Sequence, residues 1–169
     1  MRQVQFNEAK ILCSDPNSGF TLISGDQHIA LPPKFLGNIG QGVRQQLDAD
    51  IGFFSEQFGG ALIAYSNIKL LRDNGRVIDD APFIHFKIQA DFVLFRPSVG
   101  SCLRGVVNKV GKDHIGLLVH DHFNVSVPLL QNGHREEVTV VKGDSCTFTV
   151  SHLYMHRNLL SMRGKHVQR

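Results

Sequence analysis

Between Ile84 and Leu94 the chain alternates. Ile84, Phe86, Ile88, Ala90, Phe92 and Leu94 are apolar, and His85, Lys87, Gln89 and Asp91 separate them through residue 91. A period of two is what a strand with one buried and one wet face requires. Upstream the period changes. Leu36, Ile39, Val43, Leu47, Ile51, Phe54 and Phe58 recur every three or four positions, while Gln41, Arg44, Gln45, Asp48 and Glu56 fall off that line. This spacing predicts an amphipathic helix within residues 32–58. Gly37, Gly40, Gly42 and Gly52 each weaken it by about 1 kcal/mol relative to alanine, so it depends on tertiary packing and should break near Gly52. Gly59-Gly60 ends it. Phe20 to Ile23 reads as a short strand stopped by a turn at Gly25-Asp26 and closed by Pro32-Pro33. "ALIAYSNIKLL" (61–71) reads as a strand entering a turn at Asp73-Asn74-Gly75, ahead of the acidic pair Asp79-Asp80. One helix and at least three strands make the first half a small α+β unit.

Arg96-Pro97 should end the alternating strand, because proline cannot donate to a ladder. Beyond it every element looks extended. "SCLRGVVNKV" breaks alternation between Val107 and Val110, which predicts a bulge or bend near Gly105. "HIGLLV" and "FNVSV" flank a turn at Asp121-His122, and "QNGHREE" reads as a loop. "CTFTV" alternates, after which apolar parity flips to Leu153 and Met155, a second candidate bulge. "NLLSMRG" supplies a fifth strand. Five short strands bending at glycines suit a small closed barrel such as an OB fold. The expected organisation is therefore two units, residues 1–96 and 97–169.

Charge sharpens this division. Residues 1–95 carry 8 basic and 10 acidic side chains, residues 96–169 carry 10 and 5, and seven of the nine histidines lie in the second part. A basic second unit suits a polyanionic partner, although short chains often scatter charge this widely. No apolar run reaches membrane-spanning length, so no membrane partner is expected. "MRQVQFNEAK" lacks the apolar core of a secretory signal. Cys13, Cys102 and Cys146 are few, odd in number and widely spaced, which reads as reduced thiols in an intracellular protein.

The histidines raise the question of chemistry. His120-x-His122 with His152 and His156 is the best metal candidate, yet in extended chain His152 and His156 stand roughly 13 Å apart, too far to share one ion. No metal site and no cofactor are expected. Ser126 lacks a Gly-x-Ser-x-Gly turn, and Cys102 and Cys146 sit in strand patterning, so no nucleophile is expected either. "GNIGQGVR" lacks the Lys-Ser/Thr ending of a phosphate loop. What remains is a set of rings and cations on adjoining strands and turns: Lys109, Lys112, His114, His120, His122 and Phe123. Rings stack on bases and cations track phosphates, so these six are the candidate single-stranded RNA face. For Phe123, a core role is equally open because it shares parity with Val125 and Val127.

"FVLFRPSVGSCLRGVVNKVGKDHIGLLVHDHFNVSVP" resembles the junction and barrel start of the stalk subunit of RNA polymerases. "FGGALIAYSNIKLL", "HIGLLVHDHFNVSVP" and the "FRP" joint look most like the RNA polymerase I branch. The likeness runs from about residue 20 to 165. It implies a non-catalytic subunit with a truncated RNP-like N-terminal tip domain and an S1-type OB domain. The tip would dock on the RNA polymerase I core, and the barrel would stand near the nascent RNA. A small helical stalk partner and an initiation factor would be further partners, in the nucleus and nucleolus. A long charged C-terminal extension is common in that branch, and beyond "GKHVQR" no role can be assigned to one. Leu62, Ile63 and Tyr65 are candidates for the partner-covered surface, with core packing as their default. The alternatives are a free-standing OB-type single-stranded RNA-binding protein and, third, a histidine-based hydrolase.

Overall fold

The computed structural model describes residues 1–71, 76–77, 82–131, 133–135 and 137–169. The expected turn at Asp73-Asn74-Gly75, the acidic pair Asp79-Asp80, and part of the loop around Asn132 lie outside them. The chain opens with α1 (Phe6–Leu12), β1 (Phe20–Leu31), a single 3₁₀ turn at Pro33–Phe35, and α2 (Ile39–Asp50). Then come β2 (Phe54–Ser55), β3 (Gly60–Leu70), β4 (Arg76–Val77) and β5 (Ile84–Phe95). Beyond Pro97 follow β6 (Cys102–Val110), β7 (His114–Val119), β8 (Phe123–Pro128), β9 (Leu130–Gln131), β10 (His134–Arg135), β11 (Ser145–His156) and β12 (Leu159–Gln168). Among the described residues no helix is long and apolar enough to cross a membrane.

The first unit is an antiparallel sheet in the order β1-β5-β3-β2, with β4 also against β5. Its central strand is the alternating one. Ile84, Phe86, Ile88 and Ala90 are buried while their neighbours are not, but Phe92, Val93, Leu94 and Phe95 are all buried. The change has a packing cause. Phe92 and Leu94 join Val43 and Leu47 of α2 in one core, whereas Val93 and Phe95 face the second unit in another.

Three expectations for this half need correction. β1 runs unbroken through Gly25-Asp26, pairing residue for residue with β5 from Phe20↔Phe95 to Leu31↔Ile84. The ladder overrides the local turn signal. The helix is shorter than its period suggested. It begins after Asn38 and ends by Asp50, so Leu36, 62% exposed, and Phe54, on β2, belong to the flanking segments. Gly52, at φ 88°, takes the left-handed conformation that stops it, as the sequence leads one to expect. Finally α1, too short to leave a periodic trace, tucks Ala9 into the core.

The second unit is a closed five-stranded barrel in the cyclic order β6-β7-β8-β12-β11. All pairs are antiparallel except β12 with β8. That is the Greek-key path of an OB barrel. Alternate residues fill it: Leu103, Val107, Ile115, Leu117, Phe123, Val125, Cys146, Phe148 and Met162 are all at most 3% exposed. The first bulge falls at Asn108, between the pairs Val107↔Leu117 and Lys109↔Gly116, and not at Gly105, which stays in register. The second falls where parity flips, between Val150 and His152. Past it, Leu153 to His156 are exposed, so the β11–β12 hairpin projects from the barrel. The segment read as a loop at 131–137 includes the small β9–β10 ladder.

Candidate nucleic-acid interface and the joint behind it

β7 and β8 are joined one residue earlier than their sequence suggests. His120 and Asp121 are the central pair, at φ 52° and 55°, and His122 N–H donates to Val119 O at 3.2 Å. Two positive φ values in succession make a type I′ turn, whose twist matches that of the strands it joins. The turn points His120 and His122 at the first unit.

His120 is held from three sides. Its ring stacks on Phe20 at 4.0 Å and meets Phe95 edge-on at 5.5 Å. Its Nε2–H donates to Ser18 O at 2.6 Å, which fixes the tautomer because a carbonyl only accepts. Burial pushes the His120 pKa below its ordinary value, with the Ser18 hydrogen bond and the Asp121 and Asp15 carboxylates opposing. His122 donates from Nε2 to Gly52 O at 3.0 Å. A side chain at Gly52 would begin 2.9 Å from that nitrogen, so the approach requires glycine. Phe123, 1% exposed, stacks on Phe95 at 4.4 Å.

Other contacts extend this joint. Arg96 N–H donates to Gly19 O at 2.9 Å, Arg104 N–H to Asn17 O at 3.0 Å, and Phe54 N–H to Asn158 O at 2.8 Å in the β11–β12 turn. Arg104 also pairs with Asp15 at 2.8 Å. The Asp15 carboxyl is held below the usual range by the Asn17 N–H and, against some desolvation, by Arg104. One apolar core is continuous across the joint, from Ala61, Ile63 and Val93 to Val119 and Val125.

The six residues expected on one RNA face therefore separate. His120, His122 and Phe123 are in the joint, where ring contacts and carbonyls occupy them; the turn geometry aims them inward. Lys109 and His114 lie elsewhere, in a cleft of about 370 Å³ on the outside of the barrel. Lys112 is exposed on the β6–β7 turn and is not among that cleft's lining residues. The cleft adds residues that sequence reasoning passed over: Asn108, Asn124, Ser126, Tyr154 and Arg163. Asn108 is the bulged residue, and its Oδ1 would lie 2.7 Å from any Cβ at Gly116, so glycine lets the bulge fold over β7. Tyr154 pairs with Ser161 across the projecting hairpin and stacks near His152 at 6.1 Å. The parity flip at Leu153 was the available signal, since it sends Tyr154 to the outer face.

The candidate partner surface also changes. Leu62 and Ile63 are fully buried, one under α2 and the other toward the barrel, so neither is free to meet a partner. Tyr65 donates its hydroxyl to Asp48 Oδ1 at 2.6 Å, and burial followed by that carboxylate raises its pKa. Among the described residues no three His, Cys, Asp or Glu side chains gather in a way that could hold a metal ion.

A barrel of this strand order, fused to a sheet through a buried aromatic turn, defines a two-part OB-domain protein. Residues 97–131 match a family model described as the RPA43 OB domain in RNA Pol I. The chain is 42% identical over 147 residues to the DNA-directed RNA polymerase I subunit RPA43 of Homo sapiens, covering 83% of this chain and 44% of that one. Against the Danio rerio subunit of the same name it is 44% identical over 122 residues, 72% of this chain and 31% of the relative. Against that of Schizosaccharomyces pombe it is 31% identical over 103 residues, 61% and 60%. These matches bear out the chain's resemblance to the RNA polymerase I branch of the stalk-subunit family. It spans less than half the length of the human and zebrafish relatives.

Proposed function

We propose that this chain is a non-catalytic subunit of RNA polymerase I, working in the nucleus and nucleolus. Its sheet unit, an RNP-like tip in this reading, docks on the core enzyme and on a small helical stalk partner. The barrel stands off the core, contributes to recruiting an initiation factor, and holds emerging single-stranded RNA weakly in the Lys109–Arg163 cleft. The observation that carries this reading is the joint. Its histidines spend their N–H groups on main-chain carbonyls and fix the barrel to the sheet, which suits a rigid strut and leaves the basic cleft on the barrel's outer side open. The cleft combines a tyrosine ring, an imidazole and two cations with amide and hydroxyl groups, the chemistry that holds single strands on OB barrels.

The reading is tested by affinity purification of the tagged chain from cells, with identification of co-eluting proteins. The large RNA polymerase I subunits should co-elute in stoichiometric amounts at moderate salt. A chain that recovers RNA but no polymerase subunit would instead be a free-standing RNA-binding protein.

A further inference from the structure

Among the described residues, the outer edge of β1 pairs with no other strand of the first sheet. Arg96 N–H donates to Gly19 O, which makes those two residues a hydrogen-bonded pair. The register continues from Phe20↔Phe95 to Leu31↔Ile84 without a bulge. In an antiparallel ladder, bonded and non-bonded pairs alternate. Thr21, Ile23, Gly25, Gln27 and Ile29 thus direct their main-chain groups toward β5, and Phe20, Leu22, Ser24, Asp26 and His28 direct theirs away. Two contacts agree with this assignment. Phe20 N–H is capped by Ser18 Oγ at 3.1 Å, and His28 O accepts from Gln57 Nε2 at 3.5 Å. Between those caps, the N–H and C=O groups of Leu22, Ser24 and Asp26 have no hydrogen-bond partner among the described residues.

Soluble proteins protect such edges with proline, lysine, bulges or short strands. β1 has twelve residues, no proline, no lysine and no bulge, and its one carboxylate, Asp26, is engaged by Lys87 at 3.6 Å. A second feature lies beside the edge. Gln27 is 9% exposed, and its Oε1 is buried without a hydrogen-bond partner among the described residues. It lines a cavity of about 220 Å³ with Gln46, Asp50 and Gln57. The orphaned Gln27 Oε1 there suits a donor side chain.

We propose that β1 accepts an extended segment of a partner polypeptide within the polymerase assembly, added as a further strand along Leu22–Asp26. This rests on the function proposed above. The side chains of β1 set the occupant's pattern. Ile23, Ile29 and Leu31 pack on the core beneath α2, while Leu22, Ser24 and Asp26 are exposed, so the added strand alternates apolar and polar residues. A lysine or arginine at its end meets Gln27 Oε1. A second copy of this chain fits less well, because its β1 has no lysine or arginine to offer and the unit around it is net acidic.

Proline at Leu22 removes an outward N–H and leaves the β1–β5 ladder whole. The tagged full chain carrying Leu22→Pro should keep the parent's circular dichroism and Tm but recover about tenfold less polymerase I. Leu22→Ala, which retains the N–H, should recover as much as the parent. Amide exchange on the parent supplies an arm independent of folding. The amides of Leu22, Ser24 and Asp26 should exchange fast in the isolated chain and slowly in the purified assembly. A folded Leu22→Pro chain that recovers polymerase normally overturns the inference, and so do equally fast amides in the assembly. Protection that rises with the concentration of the isolated chain would assign the edge to a second copy and overturn it too. If the parent recovers no polymerase subunit, the proposed function fails first and takes this inference with it.

Discussion

His120 adopts a backbone conformation that costs a non-glycine residue about 1 kcal/mol, and its neighbour Asp121 does the same. The packing they enable offsets that cost. His120 stacks on Phe20, His122 caps Gly52 O, and Phe123 fills the gap against Phe95. Phe123→Ala should destabilise the chain by about 3–5 kcal/mol, since it leaves a cavity at a fully buried ring. His122→Ala should cost about 1 kcal/mol, the net value of one hydrogen bond. Urea denaturation ranks the two, and equal costs would mean that Phe123 is not the anchor. The depressed pKa of His120 fixes the sign of a pH effect. The unfolded chain binds a proton more readily than the folded one, so stability rises with pH through that window. Stability should be complete above about pH 6.5 and fall as the pH drops below it. Thermal melts from pH 8 to pH 5 measure this, and a Tm that rises on acidification would contradict the assignment. Burial makes His120 resist protonation.

Glycines show which elements tolerate change. Gly25 lies mid-strand in β1 with nothing within 4 Å of where a Cβ would sit, whereas a Cβ at Gly164 in β12 would fall 2.6 Å from the buried Phe148 ring. Gly25→Ala should raise stability by about 0.5–1 kcal/mol by restricting the unfolded chain and favouring the strand. Gly164→Ala should lower it by about 1–3 kcal/mol through overpacking. Calorimetry on the two variants gives the comparison, and a neutral Gly164→Ala would mean that the barrel interior has room there. Strands are legible where one face is wet, as in 84–91 and 145–150, because burial imposes a period of two. The turn signal at Gly25-Asp26 misleads because turn propensity is local and the twelve-residue ladder that overrules it is not. The helix reads too long because Leu36, Phe54 and Phe58, which lie in flanking segments, continue its spacing by coincidence. The barrel's closure and strand count are readable from bulges and parity. The direction in which its β7–β8 turn points is not, because a one-residue shift in the turn reverses which side the imidazoles reach.

The whole molecule combines a sheet with an edge left open, a barrel with a basic cleft, and an aromatic joint that holds them in one arrangement. RNA binding in the cleft should be weak, tolerant of sequence and steep in salt, with a slope of about −0.7 per neutralised phosphate. Lys109→Ala with Arg163→Ala should reduce that slope by about 1.4 while leaving Tm close to the parent's, because both side chains lie at the surface cleft. Filter binding at several salt concentrations reads the slope. In this reading the histidine turn belongs to the joint, and RNA is held in the separate cleft on the barrel. Nuclear magnetic resonance of the isotopically labelled chain, titrated with oligouridylate at low salt, separates the two regions. Ring signals of His114 and amide signals of Asn124, Ser126, Tyr154 and Arg163 should shift progressively, while the Nε2–H signals of His120 and His122 stay in place. Shifts centred on His120 and His122, with the cleft unmoved, would put the RNA site at the histidine turn and overturn the cleft assignment.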